Sequence, residues 1–329
     1  MQRKRFRLEL KRETIHLGDR TLVFSVLKLP RLTGENERFS DLDVLAAQAA
    51  REVSLGADVI DVSAMSLRPN IFPVSPEVEA RSVVPMVRKL RKDGVPWICV
   101  TTTHALVAEK SLQAGADFIN DPSGLKLDPG VASAVSKNDG ALIVAHMREI
   151  PRVWGTLAPL RDPLGEAFIV LRANIGRALR AGVPPTRILV DAGLGLGKRK
   201  EENTQILTQL QRLHELEYPT VLTFGGKLLT SEVPEGGEAA AETAATVWAL
   251  TSGVHGVRSH SAAAARAAAN VVDNLMLVEA EMREHQARRA AAKEQAGASQ
   301  LERMAEDQRS TNRRGNLPPL RPRRPRTSD

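Results

Sequence analysis

The sequence predicts a (β/α)8 barrel, a closed sheet of eight parallel strands that alternate with helices. Short apolar runs end on polar or glycine-rich segments, and segments with helical spacing of apolar residues separate them. Short runs rich in β-branched residues are typical of parallel strands buried on both faces. The repeat extends over roughly 240 residues, which suits a barrel of about 250. The six clearest runs are residues 59–63, 97–101, 118–121, 188–191, 221–227 and 257–260.

Residues 1–20 form a separate element ahead of the predicted barrel. Residues 6–10 alternate polar and apolar side chains and residues 14–17 follow them, which indicates a small hairpin. We expect this hairpin to plug the amino-terminal end of the barrel. The first barrel strand is predicted over residues 21–29, and Pro30 ends it because proline cannot donate a ladder hydrogen bond.

Helical spacing of apolar residues predicts the helices between the strands. Two strands begin with the same Gly-Ala-Asp sequence, at residues 56–58 and 115–117, and each glycine is expected to end the preceding helix. This repetition supports stacked strand–helix units. The predicted helices are residues 41–53, 76–93, 104–114, 128–138, 163–182, 201–215 and 238–252.

The chain is expected to contain four segments. They are a hairpin over 1–20, a barrel over 21–280, a helical extension over 281–308 and a tail over 309–329. The extension lacks a sustained apolar seam, so a solvated helix is favoured over a coil that binds a partner. The tail combines seven arginines with four prolines and cannot bury a core, so we expect it to be disordered.

The net charge of +7 belongs to the ends of the chain. Residues 309–329 carry +6 and residues 1–13 carry +4, so the residues between them carry −3. A barrel that binds nucleic acid needs a basic face with stacking aromatics, whereas only 11 residues here are Phe, Trp or Tyr. Nucleic-acid binding by the barrel is therefore disfavoured. The basic tail is either a solvated end or a contact for polyanions, and such contacts weaken steeply with salt.

Cysteine usage and hydropathy indicate a soluble, cytoplasmic protein. The single cysteine, Cys99, lies in an apolar run, which rules out a disulfide framework and predicts a small buried side chain. No stretch approaches the roughly 18 apolar residues of a membrane span, and residues 1–13 lack the apolar core of a signal peptide.

Several short motifs occur in the order and at the intervals of a known family. The series resembles dihydropteroate synthase, the folate-pathway enzyme that joins a dihydropterin pyrophosphate to p-aminobenzoate. The resemblance extends from about residue 21 to residue 274 and implies the same barrel. The matching segments are residues 56–61, 68–69, 97–121, 145–147, 191–198 and 258–260.

The resemblance implies that a pterin, or another small heterocyclic anion, lies in the mouth of the barrel. Asn120 and Asp191 would form hydrogen bonds with its amino and ring nitrogens. Lys227 would reach the carbonyl side of the ring, and Arg258 would stack on its face. A flat heterocycle with alternating donors and acceptors needs such amide and carboxylate side chains in fixed positions.

The resemblance also implies a pyrophosphate site made by Arg68, Arg258 and His260, because guanidinium groups match phosphate oxygens. It implies Lys227, Arg258 and His260 as the catalytic residues. Taken without the family, Asp191 is also explained by capping of the glycine-rich segment, and Arg258 with His260 by a surface pair. Asn120 is then also explained by a turn.

Several family motifs are altered in this chain. Leu27 replaces an asparagine that helps to hold Mg2+, and leucine cannot coordinate a cation that requires oxygen ligands. Thr101 replaces an aspartate that contacts the pterin. The loop at residues 63–70 keeps its Arg-Pro pair but has lost an acid and a threonine, and residues 225–228 keep only the lysine of a Ser-Arg-Lys-Ser motif. No cofactor is certain, since Mg2+ belongs to the family but its ligand is missing here.

These losses bear on the family's reaction, in which pyrophosphate departs and an amine attacks the cationic pterin. The departure needs charge stabilisation by a metal and by cations. Loss of one such group typically costs about 100- to 1,000-fold in rate. Synthase turnover, a transferase activity, is therefore doubtful.

The segment Gly193-x-Gly195-x-Gly197-Lys198 lacks the spacing of a phosphate-binding loop or of a dinucleotide-binding fingerprint. We interpret it as a structural turn that presents Asp191.

Three functions stay open on the sequence. The leading one is a dihydropteroate synthase-like, pterin-binding protein of folate metabolism. The second is a pseudoenzyme that acts as a scaffold or regulatory protein through its C-terminal helix and basic tail. The third is a methyltetrahydrofolate-binding methyltransferase, although nothing marks a corrinoid site. The family resemblance also implies a homodimer.

Overall fold

The structure, a computed structural model, describes residues 3–30, 41–67, 74–223 and 233–314. The chain divides into two units, Met1–Leu277 and Val278–Asp329. The first unit opens with an antiparallel hairpin of β1 (Phe6–Glu9) and β2 (Thr14–Leu17). The predicted hairpin is thereby confirmed.

Eight parallel strands follow and form one sheet. They are β3 (Leu22–Lys28), β4 (Val59–Ser63), β5 (Trp97–Thr101), β6 (Phe118–Asp121), β7 (Ala141–Ala145), β8 (Ile188–Asp191), β9 (Val221–Thr223) and β10 (Gly256–Ser259). The order in the sheet is β8-β7-β6-β5-β4-β3-β10-β9. A parallel bridge between Val190 and Thr220 joins β8 to the chain just before β9. The sheet therefore closes on itself as the predicted (β/α)8 barrel, and the prediction is confirmed.

Helices connect the strands on the outside of the sheet, as right-handed crossovers between parallel strands require. The α-helices are α1 (Leu42–Ser54), α2 (Pro76–Lys92), α3 (Ala105–Ala114), α4 (Gly130–Lys137), α5 (Pro163–Arg180), α6 (Lys200–Thr208), α7 (Glu238–Thr251) and α8 (Ala262–Arg314). Short 3-10 helices span Pro151–Thr156, Pro185–Arg187 and Leu210–Leu216. None of the described helices is both long enough and apolar enough to cross a membrane.

Local signals set where several helices begin. The Ser75 side chain accepts a hydrogen bond from the Val78 N–H at 3.3 Å, and a proline occupies the first turn of α2. Asp162 accepts from the Gly165 N–H at 2.8 Å at the start of α5. These side chains satisfy backbone donors that have no partner inside the helix.

Alternation of side chains along the strands divides the apolar core in two. An outer core lies between the strands and the helices, and an inner core fills the amino-terminal half of the barrel. The rings of Phe24 and Phe118 meet edge to face in the inner core, 5.6 Å apart. Leu8 and Leu17 of the hairpin belong to the same cluster, as does the buried Cys99. The hairpin thus plugs this end of the barrel, as expected.

The two Gly-Ala-Asp sequences hold the barrel together at its amino-terminal end. Gly56 and Gly115 have φ angles of +104° and +114°, which the turn after each helix requires. Asp58 accepts a hydrogen bond from the backbone N–H of Val23 at 2.9 Å, and Asp117 from that of Ile98 at 2.8 Å. Each aspartate therefore fixes the start of the preceding barrel strand, a role that the sequence analysis did not assign.

Replacing Asp117 with alanine is expected to lower the free energy of unfolding by about 1–3 kcal/mol, because the buried N–H of Ile98 loses its acceptor. Arg91 loses its contact with the same carboxylate at 2.6 Å. Urea denaturation measures the change. The matched control is Asp19→Ala, an exposed partner of Arg5, which should cost less than about 1 kcal/mol. Equal costs for the two variants would contradict this account.

The structure extends the sequence analysis in two places. Strand β7 is absent from the six predicted runs, although its apolar segment, residues 141–145, is followed by the polar His146. Helix α8 continues to Arg314, past residue 308, where the predicted extension ends. The remainder of the predicted tail, 315–329, lies outside the described residues.

Candidate functional site

Inward-facing side chains become polar toward the carboxyl ends of the barrel strands. Above the apolar inner core, six polar side chains from six different strands form one connected hydrogen-bond network, here called the polar layer. Five of the six are buried and the sixth is partly buried. The polar layer comprises Asp61, Thr101, Asn120, Asp191, Thr223 and Arg258.

Arg258 lies at the centre of the polar layer. Its Nε and Nη2 both donate to Oδ2 of Asp61, the former at 2.8 Å. Nη2 also donates to Oγ1 of Thr101 at 2.9 Å, and Nη1 donates to Oγ1 of Thr223 at 2.7 Å. Described residues therefore engage four of the five guanidinium N–H groups. The arginine is 8% exposed and Asp61 is fully buried, so this is a buried ion pair with matched hydrogen bonds.

Thr101 and Asn120 continue the polar layer on strands β5 and β6, where they are paired in register. The Thr101 hydroxyl lies 2.8 Å and 3.0 Å from the two carboxylate oxygens of Asp61. Nδ2 of Asn120 donates to Thr101 Oγ1 at 3.1 Å. Oδ1 of Asn120 is buried and has no hydrogen-bond partner among the described residues. A buried acceptor of this kind gains most from a ligand that brings an N–H.

Asp191 completes the polar layer at the end of β8. Its Oδ1 accepts from the Gly193 N–H at 2.7 Å, and its Oδ2 accepts from the Thr223 hydroxyl at 3.2 Å. Asp191 therefore both caps the glycine-rich segment and belongs to the polar layer, so the structural and functional interpretations of this residue are compatible.

The glycine-rich segment is a tight turn, and its backbone angles and close packing require glycine. Gly193, Gly195 and Gly197 have φ angles of +68°, +77° and +79°. A β-carbon on Gly193 would lie 2.1 Å from the carbonyl oxygen of His146. The segment is thus the predicted structural turn that presents Asp191.

Lys198 fastens this turn to the barrel wall. Its Nζ donates to the carbonyl oxygens of His146 at 2.9 Å and of Gly193 at 2.6 Å. Burial lowers the pKa of Lys198 to about 7, although the nearby Asp191 opposes the shift. Burial likewise raises the pKa of Asp191, against the opposing effect of its bond from the Gly193 N–H. The turn therefore carries an amine and a carboxyl whose charged forms are both disfavoured by burial.

The depressed pKa of Lys198 gives a pH-dependent prediction. The amine ionises at about 7 in the folded state, against an ordinary value of 10.5, so unfolding takes up a proton between these pH values. The stability of wild type relative to Lys198→Met should consequently rise as the pH increases from 7 to 10, and become constant below 7. Urea midpoints of both proteins across this range measure it. A difference that stays constant between pH 7 and 10 would contradict the assignment.

His146 lies in the wall of the mouth, directly after β7. Neither of its ring nitrogens has a hydrogen-bond partner among the described residues. Nε2 lies 3.7 Å from Oε1 of Glu166, and burial lowers the pKa of His146 to about 2, with Lys198 adding to the shift. The imidazole is therefore neutral, and it contributes no charge to the mouth.

The structure brings together only part of the site that the sequence analysis assembled. Asn120, Asp191 and Arg258 join the polar layer. His260 follows the end of β10 and is exposed, whereas Arg258 is buried. Lys227 and Arg68 lie outside the described residues.

The residues near the end of β3 do not fit a magnesium site. The Leu27 side chain is 3% exposed and belongs to the outer core, so it offers no oxygen and faces the helices. Among the described residues, no group of three or more His, Cys, Asp or Glu side chains is placed to hold a metal ion. Magnesium prefers several oxygen ligands in octahedral geometry, and the side chain of Leu27 does not contribute one.

Sequence reasoning missed Asp61 and Thr223 as members of the site. Asp61 had a recognisable signal, since an acid inside a run of buried apolar residues needs a partner. Its partner, Arg258, is 197 residues away in the chain, so only the closed barrel identifies the pair.

The comparisons with known proteins agree with the barrel. Residues 33–260 match the family model described as pterin binding enzyme. The dihydropteroate synthase of Synechocystis sp. is 32% identical over 265 residues, covering 78% of this chain and 91% of the relative.

Two solved structures are similar to the chain over most of its length. The dihydropteroate synthase of Yersinia pestis, solved with a sulfonamide drug, has a TM-score of 0.74 and 27% identity, covering 83% of this chain and 100% of its own. The Xanthomonas albilineans enzyme in complex with 7,8-dihydropteroate has a TM-score of 0.69 and 28% identity, covering 82% and 98%. From its motifs, its closed barrel and these matches, the chain belongs to the dihydropteroate synthase family of pterin-binding barrels.

Proposed function

We propose that this protein binds a pterin over the polar layer and catalyses the synthase reaction weakly or not at all. The observation that carries the proposal is Oδ1 of Asn120, which has no hydrogen-bond partner among the described residues and shares one network with Asp191. A fixed amide acceptor and a carboxylate on one side of a barrel mouth suit the donor-rich edge of an aminopyrimidine ring. Buried acceptors without a partner are uncommon in folded proteins, so this oxygen is a candidate contact for a ligand N–H.

Two features support weak or absent turnover. Thr101 stands where the resemblance implies an acid, so one anionic contact to a cationic pterin is missing. Leu27 lies in the outer core where an oxygen ligand for Mg2+ is implied, so the metal that would help pyrophosphate to leave lacks that ligand. Both losses affect stabilisation of charge in the reaction, and neither removes the pterin contacts of Asn120 and Asp191.

Equilibrium calorimetry with a dihydropterin tests the binding proposal. Wild type should bind one equivalent, and Asp191→Ala should lower the affinity by about 10- to 100-fold, as expected for a lost hydrogen bond to a charged group. Asp139→Ala is the matched control, because it removes an exposed acid that pairs with Arg187. No saturable heat with wild type, or equal affinities for the two variants, would contradict the proposal.

A second candidate function, a scaffold that pairs through α8, rests on a different observation. In the unit Val278–Asp329, four large apolar side chains of this helix are between 46% and 70% exposed. Pairing with a second copy would cover them. They are Val278, Met282, Leu301 and Met304.

Light scattering of the full chain and of a chain that ends at residue 277 tests this second function. Association that depends on residues 278–329, with pterin binding unchanged, would favour the scaffold. Identical masses for the two chains would contradict it.

A further inference from the structure

We infer that Thr101 is a positioning residue that fixes the Asn120 amide and so selects ligands presenting an N–H. The inference rests on the proposed pterin binding and names the residue that sets its selectivity. Thr101 is 6% exposed, Asn120 is 1% exposed, and they face each other across β5 and β6.

The direction of each hydrogen bond around Thr101 follows from its neighbours. An ionised Asp61 only accepts hydrogen bonds, so the Thr101 hydroxyl donates its single hydrogen to this carboxylate. Arg258 only donates, so one lone pair of Thr101 accepts from Nη2 at 2.9 Å. The other lone pair can then only accept from Asn120. The hydroxyl is saturated, with one hydrogen given and two accepted.

This saturation determines the orientation of the amide. Because Thr101 has no hydrogen left to give, the amide must turn Nδ2 toward it, at 3.1 Å. Oδ1 then faces away as an acceptor without a partner among the described residues. A ligand N–H satisfies this oxygen, whereas a ligand carbonyl meets it with like partial charge. The polar layer therefore selects an amino-bearing ring over one with a carbonyl in the same place.

A carboxylate at position 101 would produce a different network. It would lie about as close to Asp61 as the Thr101 hydroxyl does, and two carboxylates at that distance cannot both ionise without cost. Threonine removes this conflict and leaves the charge of Asp61 to Arg258. On this side of the barrel mouth, the Asn120 amide is then the main group that discriminates between ligands.

Calorimetry with a matched ligand pair tests the inference. Pterin carries an amino group at position 2 of the ring, and lumazine carries a carbonyl there. Wild type should prefer pterin, and Thr101→Val should reduce that preference by about tenfold, the equivalent of one hydrogen bond. Thr101→Ser keeps the hydroxyl and should retain the preference. Urea denaturation verifies that each variant folds. If Thr101→Val does not fold, Thr101→Ala replaces it in the test.

The ratio of the two affinities separates positioning from a merely structural role. A structural role would change both affinities equally and leave the ratio constant, and that result would overturn the inference. A loss of preference in Thr101→Ser as large as in Thr101→Val would also overturn it. If wild type binds neither ligand, the proposed function fails and the inference fails with it. If wild type binds pterin but does not prefer it to lumazine, only the inference fails.

Discussion

Asp61→Ala is expected to lower the free energy of unfolding by about 3–5 kcal/mol, the cost of leaving a buried charge without its partner. Asp61 is fully buried and receives two N–H groups of Arg258, whose side chain is 9% exposed. The same change deprives the Thr101 hydroxyl of its acceptor. Urea denaturation of both proteins measures the difference.

The double variant Asp61→Ala with Arg258→Met separates the unpaired charge from lost packing. Because it removes both ions, it should recover most of the stability that Asp61→Ala loses. A free energy of unfolding for Asp61→Ala within about 1 kcal/mol of the wild-type value would match an exposed ion pair. That result would contradict the assignment of a buried ion pair.

Gly193→Ala is expected to lower the free energy of unfolding by about 2–4 kcal/mol, from left-handed backbone strain and from overpacking. The residue has a φ angle of +68°, and its β-carbon would lie 2.1 Å from the carbonyl oxygen of His146. Pterin affinity should fall as well, because the Gly193 N–H holds Asp191 in place.

Gly94→Ala is the matched control for this variant. Gly94 has a φ angle of +82°, but a β-carbon there would have no atom within 4 Å. The control therefore measures backbone strain alone, about 1–2 kcal/mol. A cost for Gly193→Ala no larger than that of the control would contradict the close contact with His146.

The barrel was predictable because its signals are local. Each βα unit shows a short apolar run and then helical spacing, and the predicted strand over residues 59–63 and the helix over 76–93 agree with β4 and α2 to within a residue. Strand β7 was not among the six predicted runs, although His146 follows its apolar segment. The sequence did not reveal the hydrogen bonds of Asp58 and Asp117, because their partners lie on other strands.

The candidate site was predictable only in part, since its members come together through closure of the sheet. The family resemblance identified Asn120 and Asp191, which lie in the predicted strand runs over 118–121 and 188–191. The partners of Arg258 are 35 to 197 residues away in sequence, so no local pattern reveals that its guanidinium lies in the polar layer. The assignment of Arg258 to ring stacking and pyrophosphate binding stays a prediction.

Calorimetric turnover tests the central claim most directly, with dihydropterin pyrophosphate and Mg2+ injected into the protein in the presence of p-aminobenzoate. We expect a saturable binding heat that returns to baseline after each injection, because Asn120 and Asp191 are proposed to hold the pterin while Leu27 and Thr101 stand where the family resemblance implies an Mg2+ ligand and an acid. Sustained heat flow at a rate typical of enzymes, about 1 s⁻¹ or faster, would show efficient synthase turnover and contradict the claim. No heat at all would contradict pterin binding itself.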